Sequence, residues 1–252
     1  MKLFDRLMTI RKARPGAAFL VLLDPDQETA DDLARRAEIC CREGADALLV
    51  GGSLLMTGSL DERIRVVKQA VDCPVILFPG GAYQLSAEAD GILFMSLISG
   101  RNPQYLIGEQ VLAAPRVHQM RMDTVPVAYM LVASESMTSV EFISQTRPLP
   151  RNKPDLAVAH ALAAQYLGMR MCYLEAGSGS KQCVPATLVS AVRQAVGLSL
   201  IVGGGIQTTL EAKELVRAGA DFIVIGNALE KDGRREFVAE LARAVHGEDG
   251  PL

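Results

Sequence analysis

Residues 171–180, Met-Cys-Tyr-Leu-Glu-Ala-Gly-Ser-Gly-Ser, contain the pattern on which the predicted fold rests. Met171 to Leu174 is a short apolar run, typical of a strand that is buried on both faces. The run leads one carboxylate, Glu175, into a loop of small residues. Because glycine has no Cβ, backbone N–H groups in such a loop can converge on an anion. The segment therefore predicts a base beside an anion-binding loop.

Apolar runs of strand length recur along the whole chain and alternate with helical patterns. The predicted strands cover residues 19–23, 47–50, 75–78, 91–94, 127–132, 171–174, 198–202 and 222–225. Eight strands with helices between them predict an α/β fold, a (β/α)8 TIM-type barrel that forms a single domain over residues 1–252. The repeat at Gln84 to Ala89 is too short for a crossover helix, so the barrel is expected to be modified, with its third helix weak or missing. A doubly wound open sheet is the alternative, but the strand ends single out no crevice at a change of strand order.

Composition and charge restrict the class of protein. A hydrophobic share of 49% with mixed charges is typical of a globular protein. A net charge of −3 without a basic stripe argues against a nucleic-acid partner. The five cysteines include no C-x-x-C pair, and the N-terminus lacks the features of a signal peptide, so we expect reduced structural thiols in a cytoplasmic protein. No apolar run approaches the roughly 20 residues of a membrane span, which leaves peripheral membrane contact open.

Glycine clusters follow the last three predicted strands. They are Gly177 with Gly179, the triplet Gly203-Gly204-Gly205, and Gly226 before Asn227. In barrels the loops after the strands form the active face, and phosphate often binds after strands seven and eight. The sequence therefore predicts a phosphate site, although glycines can also serve only the tight turns between strand and helix.

Asp24-Pro25-Asp26 ends the first strand and is the best candidate for a metal site. Mg²⁺ prefers carboxylate and hydroxyl oxygens together with phosphate oxygens of a substrate. Ser53, after the second strand, could supply a second oxygen beside Asp24. The alternative is that Asp-Pro-Asp caps the following helix, with Asp26 as the capping residue.

Other features of the sequence disfavour some reaction classes and leave the roles of several loops open. No lysine lies in a predicted strand, which disfavours a Schiff-base aldolase, and the three histidines lie off the strand ends. The loops after strands two to four are apolar, either because they belong to the core or because the substrate has a long apolar part. The segment Ser134 to Lys153 is long for a barrel loop and is expected to form a lid with a short helix. Its Arg151 or Lys153 either contacts a diphosphate or is only solvated.

Six segments of the chain resemble the geranylgeranylglyceryl phosphate synthase family. They are residues 22–26, 51–53, 94–103, 173–179, 202–206 and 225–227. Ser-Gly-Arg-Asn-Pro at residues 99–103 is similar to the branch with archaeal and some bacterial members. The shorter heptaprenyl-transferring branch is less similar, since it typically has lysine where this chain has Leu22.

The resemblance implies a reaction, a cofactor and a site. The family transfers a polyprenyl group from its diphosphate to the 3-hydroxyl of sn-glycerol 1-phosphate, with Mg²⁺, and favours dimers or hexamers. The resemblance implies that Asp24 and Ser53 bind Mg²⁺ and that Glu175 is the catalytic base. The implied glycerol phosphate site comprises Tyr173, Leu174, Glu175, Ala176, Gly177, Ser178, Gly179, Gly204, Gly205, Gly226 and Asn227. An isomerase or lyase acting on a small sugar phosphate, or a non-catalytic binder of a phosphorylated ligand, is the alternative reading of the same loops.

Overall fold

Eight parallel strands close into a barrel in the computed structural model of the chain, which describes residues 1–56, 58–231 and 234–248. The strands are β1 (Ala18–Leu23), β2 (Ala47–Val50), β3 (Val75–Leu77), β4 (Gly91–Leu97), β5 (Thr124–Leu131), β6 (Met171–Glu175), β7 (Ser199–Gly203) and β8 (Phe222–Ile225). They follow one another around the barrel in chain order, and β8 pairs with β1. The predicted (β/α)8 barrel is confirmed, and the open-sheet alternative is not.

The helices are α1 (Leu3–Lys12), α2 (Ala30–Arg42), α3 (Leu60–Ala70), α4 (Glu109–Gln119), α5 (Ser139–Ser144), α6 (Pro154–Tyr166), α7 (Ala186–Ala195), α8 (Thr209–Arg217), α9 (Asn227–Lys231) and α10 (Arg235–His246). A π-helical turn, Gln104–Gly108, leads into α4. The whole connection from β3 to β4, residues 78–90, is described and contains no helix, so the crossover helix expected third in a regular barrel is missing here, as predicted. The predicted start of the last helix at Gly233 lies outside the described residues.

Alternation along each strand divides the core into two layers. In β1, Ala18 and Leu20 pack inside the barrel, whereas Phe19, Val21 and Leu23 pack outward under the helices. Leu3 and Leu7 of α1 join the inner cluster, so α1 closes the N-terminal end of the barrel. The opposite end, where the strands terminate, is therefore left for the site.

Three aspartates repeat one contact at the N-terminal end. Asp46, Asp90 and Asp221 each precede a strand and accept the N–H group of a residue at the start of the neighbouring strand, at 2.8–2.9 Å. Each also pairs with a cation, at 2.6–3.0 Å. The buried His246 of α10 donates a further hydrogen bond from Nε2 to the Asp46 carboxylate at 2.9 Å. The register of this end is thus held by charge-assisted hydrogen bonds.

Two expectations from the sequence are wrong. Thr29, not Asp26, caps α2, because its side chain accepts the N–H group of Asp32. The thiols are not all reduced, since Cys41 of α2 and Cys73, before β3, form a disulfide. Within the described ranges, none of the helices has the length and apolar character needed to cross a bilayer.

Candidate active site

The carboxyl ends of the strands surround a cavity of about 650 Å³. Its lining includes ten of the residues that the sequence singled out, namely Asp24, Ser53, Tyr173, Glu175, Ser178, Gly179, Gly204, Gly205, Gly226 and Asn227. These residues come from the ends of β1, β2, β6, β7 and β8, which the barrel brings to one face. The three glycine loops and the two candidate metal ligands thus share one space.

Glu175 is the last residue of β6, and only 5% of its surface is exposed. Its Oε1 accepts the Gly177 N–H group at 2.6 Å. Burial raises the pKa of Glu175 to about 7, against the opposing effects of Tyr173 and of the Gly177 N–H group. A carboxylate with a pKa near neutrality is suited to accept a proton at working pH.

Three aromatic rings form the inner wall beside this carboxylate. Phe78, Tyr129 and Tyr173 have ring centroids 5.3–6.1 Å apart. Burial, followed by the charge of Glu175, raises the pKa of both tyrosines well above the usual value, so both keep their protons at neutral pH. The Tyr173 hydroxyl lies near Glu175, but it reaches no hydrogen bond of ordinary geometry with a described residue. The hydroxyl oxygen is buried beside the carboxylate, and its interaction with Glu175 lowers the pKa of that group.

The β7 loop packs directly against the β6 loop. Gly204 has φ +79°, and a Cβ there would lie 2.1 Å from Glu175 Oε1 and 2.8 Å from the Gly177 nitrogen. Only glycine fits this position, because any side chain would displace the carboxylate. Within the described residues, the N–H groups of Gly204, Gly205 and Gly226 donate to no other residue. Such unpaired N–H groups at a cavity can bind phosphate oxygens.

Asn227 links the β8 loop to the β6 loop. Its Oδ1 accepts the Ser178 hydroxyl and the Gly179 N–H group, both at 2.9 Å. Its Nδ2 donates to Glu230 at 2.9 Å, which sets the orientation of the amide. Asn227 therefore shapes the loop that borders the cavity.

Asp24 lies across the cavity mouth, next to the β2 loop. A Cβ on Gly52 would lie 3.4 Å from Asp24 Oδ1, which places the carboxylate against the residue before Ser53. Oδ1 also accepts the Asp26 N–H group at 2.9 Å. Asp26 itself accepts the Met56 N–H group at 2.5 Å and lies 3.8 Å from Arg63, so it braces the β2 loop.

An apolar groove opens from the polar cavity between β3, β4 and α4. The two spaces share Gly52, Ser53, Phe78, Tyr129, Val140 and Ile143. The groove is lined further by Phe94, Met95 and Leu97 of β4 and by Tyr105 of the π-helical turn. Much of the apolar character of the loops after strands three and four is therefore exposed to this groove.

The long segment after β5 contains one short helix, as expected, but its cations do not reach the cavity. Val140 and Ile143 of α5 line both spaces. Arg151 instead donates to the carbonyl oxygens of Ala133 and Cys183, at 3.3 and 2.8 Å, and holds two loops together. Lys153 is exposed at the start of α6.

Some predicted contacts are indirect, and one residue was missed. The side chains of Leu174 and Ala176 pack in the outer core, so only their backbone could face a ligand. Gly177 holds Glu175 through its N–H group.

Tyr129, which lines both spaces, was not singled out from the sequence. Its inward position near the end of β5, opposite Tyr173 in register, could have indicated it.

The sequence is similar to known proteins over most of its length. The chain matches the model of the PcrB family over residues 8–245. It is 41% identical to the geranylgeranylglyceryl phosphate synthase of Chitinophaga pinensis, over 94% of this chain and 93% of that protein. Identity to the enzyme of the same name from Methanothrix thermoacetophila is 45%, over 92% and 91% of the two chains.

A solved structure is similar over almost the whole length. It is (S)-3-O-geranylgeranylglyceryl phosphate synthase from Thermoplasma acidophilum in complex with sn-glycerol-1-phosphate. The TM-score is 0.93 at 34% identity, covering 98% of this chain and 99% of that one. The chain belongs to the PcrB family, and the relatives named above are geranylgeranylglyceryl phosphate synthases.

Proposed function

We propose that this chain transfers a geranylgeranyl or similar polyprenyl group from its diphosphate to the 3-hydroxyl of sn-glycerol 1-phosphate. One observation carries the proposal: a polar cavity holding Glu175 and three glycine loops opens directly into an apolar groove. A small phosphate ester fits the polar space, and a prenyl chain fits the groove. The names of the relatives and the ligand of the Thermoplasma structure point to the same two substrates.

Glu175 is the proposed base. Glycerol phosphate would bind with its phosphate on the free N–H groups of Gly204, Gly205 and Gly226, and the Tyr173 hydroxyl would bind a glycerol oxygen. Glu175 would then take the proton of the 3-hydroxyl as that oxygen attacks C1 of the prenyl chain and the bond from C1 to the diphosphate breaks. Holding both substrates in one cavity replaces a bimolecular encounter by an oriented one.

Asp24 and Ser53 fit a magnesium site that a substrate completes. They offer one carboxylate and one hydroxyl on the same cavity wall, and no group of three His, Cys, Asp or Glu side chains in the described ranges could hold a metal alone. Such a pair suits Mg²⁺, which takes further oxygens from phosphate and water. When bound, Mg²⁺ would neutralise charge on the departing diphosphate.

A sugar-phosphate isomerase or lyase is the weaker reading. It would use the glycine loops and Glu175 but would leave the apolar groove without a ligand. It would also want a second carboxylate near the end of β6, where the groups beside Glu175 are instead Tyr129 and Tyr173. The names of the relatives do not favour it either.

The decisive experiment supplies both substrates together. Purified protein is incubated with Mg²⁺, sn-glycerol 1-phosphate and prenyl diphosphates of graded length, and the ether product is identified by mass spectrometry. We expect product with sn-glycerol 1-phosphate and much less with sn-glycerol 3-phosphate. Absence of product at every chain length would overturn the proposal.

Assembly and location are part of the same proposal. Ile107, Val111 and Leu112, beside and on α4, are each about 60% exposed, which supports a homo-oligomer, a dimer or hexamer. Light scattering on the purified protein tests this, and a monomer would contradict it. We also propose a cytoplasmic enzyme that touches a membrane peripherally to receive its apolar donor, which co-sedimentation with lipid vesicles would test.

A further inference from the structure

Gln84 lies in the connection that replaces the third helix, and its side chain joins two loops behind the site. Only 2% of its surface is exposed. Its Nε2 donates to the Gly52 carbonyl oxygen at 3.0 Å and to the Tyr83 hydroxyl at 3.3 Å. Its Oε1 accepts the Gly80 N–H group at 3.1 Å. The amide thus connects the β2 loop to the β3 loop.

These loops touch through their backbones as well. A Cβ on Gly80 would lie 2.4 Å from the Gly52 carbonyl oxygen and 2.7 Å from that of Ser53. On its other side Gly52 borders the Asp24 carboxylate. Gly52 is therefore held between Asp24 and the Gln84–Gly80 pair.

The Gly52 carbonyl belongs to the same planar peptide unit as the Ser53 N–H group. In a trans peptide the two point in opposite directions, so fixing the carbonyl fixes the N–H group. Among described residues the Ser53 N–H group has no acceptor. Ser53 lines both the polar cavity and the groove.

We propose that Gln84 is a positioning residue for the diphosphate of the prenyl donor. It holds the Gly52–Ser53 peptide so that the Ser53 hydroxyl and N–H group stay beside Asp24 and meet the diphosphate together. The inference rests on the proposed function. It predicts that Gln84 is required for binding of the prenyl donor and not for binding of glycerol phosphate. Glycerol phosphate would bind on the β6, β7 and β8 loops, whereas the hydrogen bonds of Gln84 to described residues reach Gly52, Gly80 and Tyr83.

Two substitutions test this, with a matched control. Gln84→Met keeps the approximate length of the side chain but removes all three hydrogen bonds, whereas Gln84→Glu, when ionised, can still accept from Gly80 and cannot donate to Gly52. Gln165 provides the control, because its Oε1 also holds a loop N–H group, that of Gly197 at 2.7 Å, but before β7 at the other end of the barrel. Gln165→Met therefore removes an acceptor of the same kind away from the site, and Gln165→Glu keeps the acceptor while adding the same charge as Gln84→Glu.

The first readout is thermal stabilisation by magnesium pyrophosphate, which needs no catalysis. We expect the concentration for half-maximal stabilisation to rise about tenfold in both Gln84 variants, the loss typical of one or two buried hydrogen bonds. In steady-state assays the KM for prenyl diphosphate should rise by a similar factor while the KM for sn-glycerol 1-phosphate is unchanged. The Gln165 variants should match the unaltered protein in all three values.

Several results would overturn the inference. They are an equal rise in both KM values, a lower melting temperature with an unchanged pyrophosphate midpoint, and no stabilisation of the unaltered protein by magnesium pyrophosphate. Failure of the proposed function is a separate result. It would be seen as absence of ether product from the unaltered protein, while the pyrophosphate midpoints would still report on Gln84.

Discussion

Replacing Glu175 by glutamine separates the chemical role of the carboxylate from its effect on stability. Glutamine has nearly the same size, and its amide oxygen can still accept the Gly177 N–H group, which lies 2.6 Å from Oε1 of Glu175. The substitution removes the titrating proton. Because burial raises the pKa of Glu175 from 4.5 to about 7, the ionised group destabilises the folded protein. At about 1.36 kcal/mol per pH unit, the full effect is about 3 kcal/mol.

The sign of the effect gives a pH dependence. A carboxyl group whose pKa is raised on folding leaves stability intact below its unfolded pKa, near 4.5, and lowers it as pH rises through about 7. Glu175→Gln should therefore exceed the unaltered protein in free energy of unfolding by about 3 kcal/mol at pH 8, and by less than about 1 kcal/mol at pH 5. For a chain of this size the pH 8 difference corresponds to a melting temperature higher by about 6–12 °C.

Activity should change in the opposite direction. Loss of a general base lowers turnover by about 10²–10⁴-fold, while binding of sn-glycerol 1-phosphate, measured by calorimetry, should persist. In the unaltered protein kcat/KM should rise with pH to a plateau above about 7, because only the ionised carboxylate accepts the proton. Glu240→Gln on the exposed side of α10 removes one charge without touching the site and serves as control.

The unfolding measurement uses urea at pH 5 and pH 8, and turnover is measured with saturating substrates. Near-normal turnover in Glu175→Gln would refute the assignment of the base. A stability difference that is equal at the two pH values would refute the buried, titrating carboxylate even if turnover fell. Turnover and stability therefore test the two roles of Glu175 independently.

Four further changes have definite expected outcomes. Asp24→Asn should raise the Mg²⁺ concentration for half-maximal activity at least about tenfold, and an unchanged Mg²⁺ titration would remove Asp24 from the site. Gly204→Ala should lower kcat at least about tenfold with an intact fold by circular dichroism, because its Cβ would lie 2.1 Å from Oε1 of Glu175, the proposed base. Asp46→Asn should lower the free energy of unfolding, measured in urea at pH 7, by about 3 kcal/mol. Burial alone would raise the pKa of Asp46, but its hydrogen bonds hold that pKa below the usual value. The stabilisation by Asp46 should therefore be lost only when acid protonates the carboxylate. Reduction of the Cys41–Cys73 disulfide, or Cys41→Ser, should lower the free energy of unfolding by about 3–4 kcal/mol, because the disulfide closes a loop of 32 residues. Thiol counting by mass spectrometry should find three free cysteines before reduction.

The barrel and most of the site could be predicted because the relevant signals are local in sequence. A buried parallel strand appears in the sequence as a continuous apolar run. Residues at the end of the run, such as Glu175 and Gly204, can therefore be assigned to the carboxyl end of the strand. The missing third helix was equally local, since the repeat at Gln84 to Ala89 is too short for a crossover helix. These signals need no knowledge of tertiary contacts.

The failures involve contacts between distant residues. Cys41 and Cys73 are 32 positions apart, and nothing near either one indicates the pairing. Asp26 has the chemistry of a helix cap, but the helix begins later, at Ala30, and the carboxylate is taken by the β2 loop. Arg151 was predicted either to contact a diphosphate or to be solvated, but its guanidinium donates to two carbonyl oxygens. In each case a tertiary partner replaced the local role.

The missing helix also explains where an apolar substrate can lie. In a regular barrel a helix between β3 and β4 would cover the outer surface of both strands. Here residues 79–82 and Leu85 form one wall of the groove, and Phe94 and Tyr105 form the others. The space that the helix would fill is thus lined by apolar side chains and opens at Ser53 and Tyr129 into the polar cavity. A barrel with all eight helices could bind phosphate in the same way, but its third helix would cover β3 and β4 where this groove lies, so we attribute the space for the prenyl chain of the proposed donor to the missing helix.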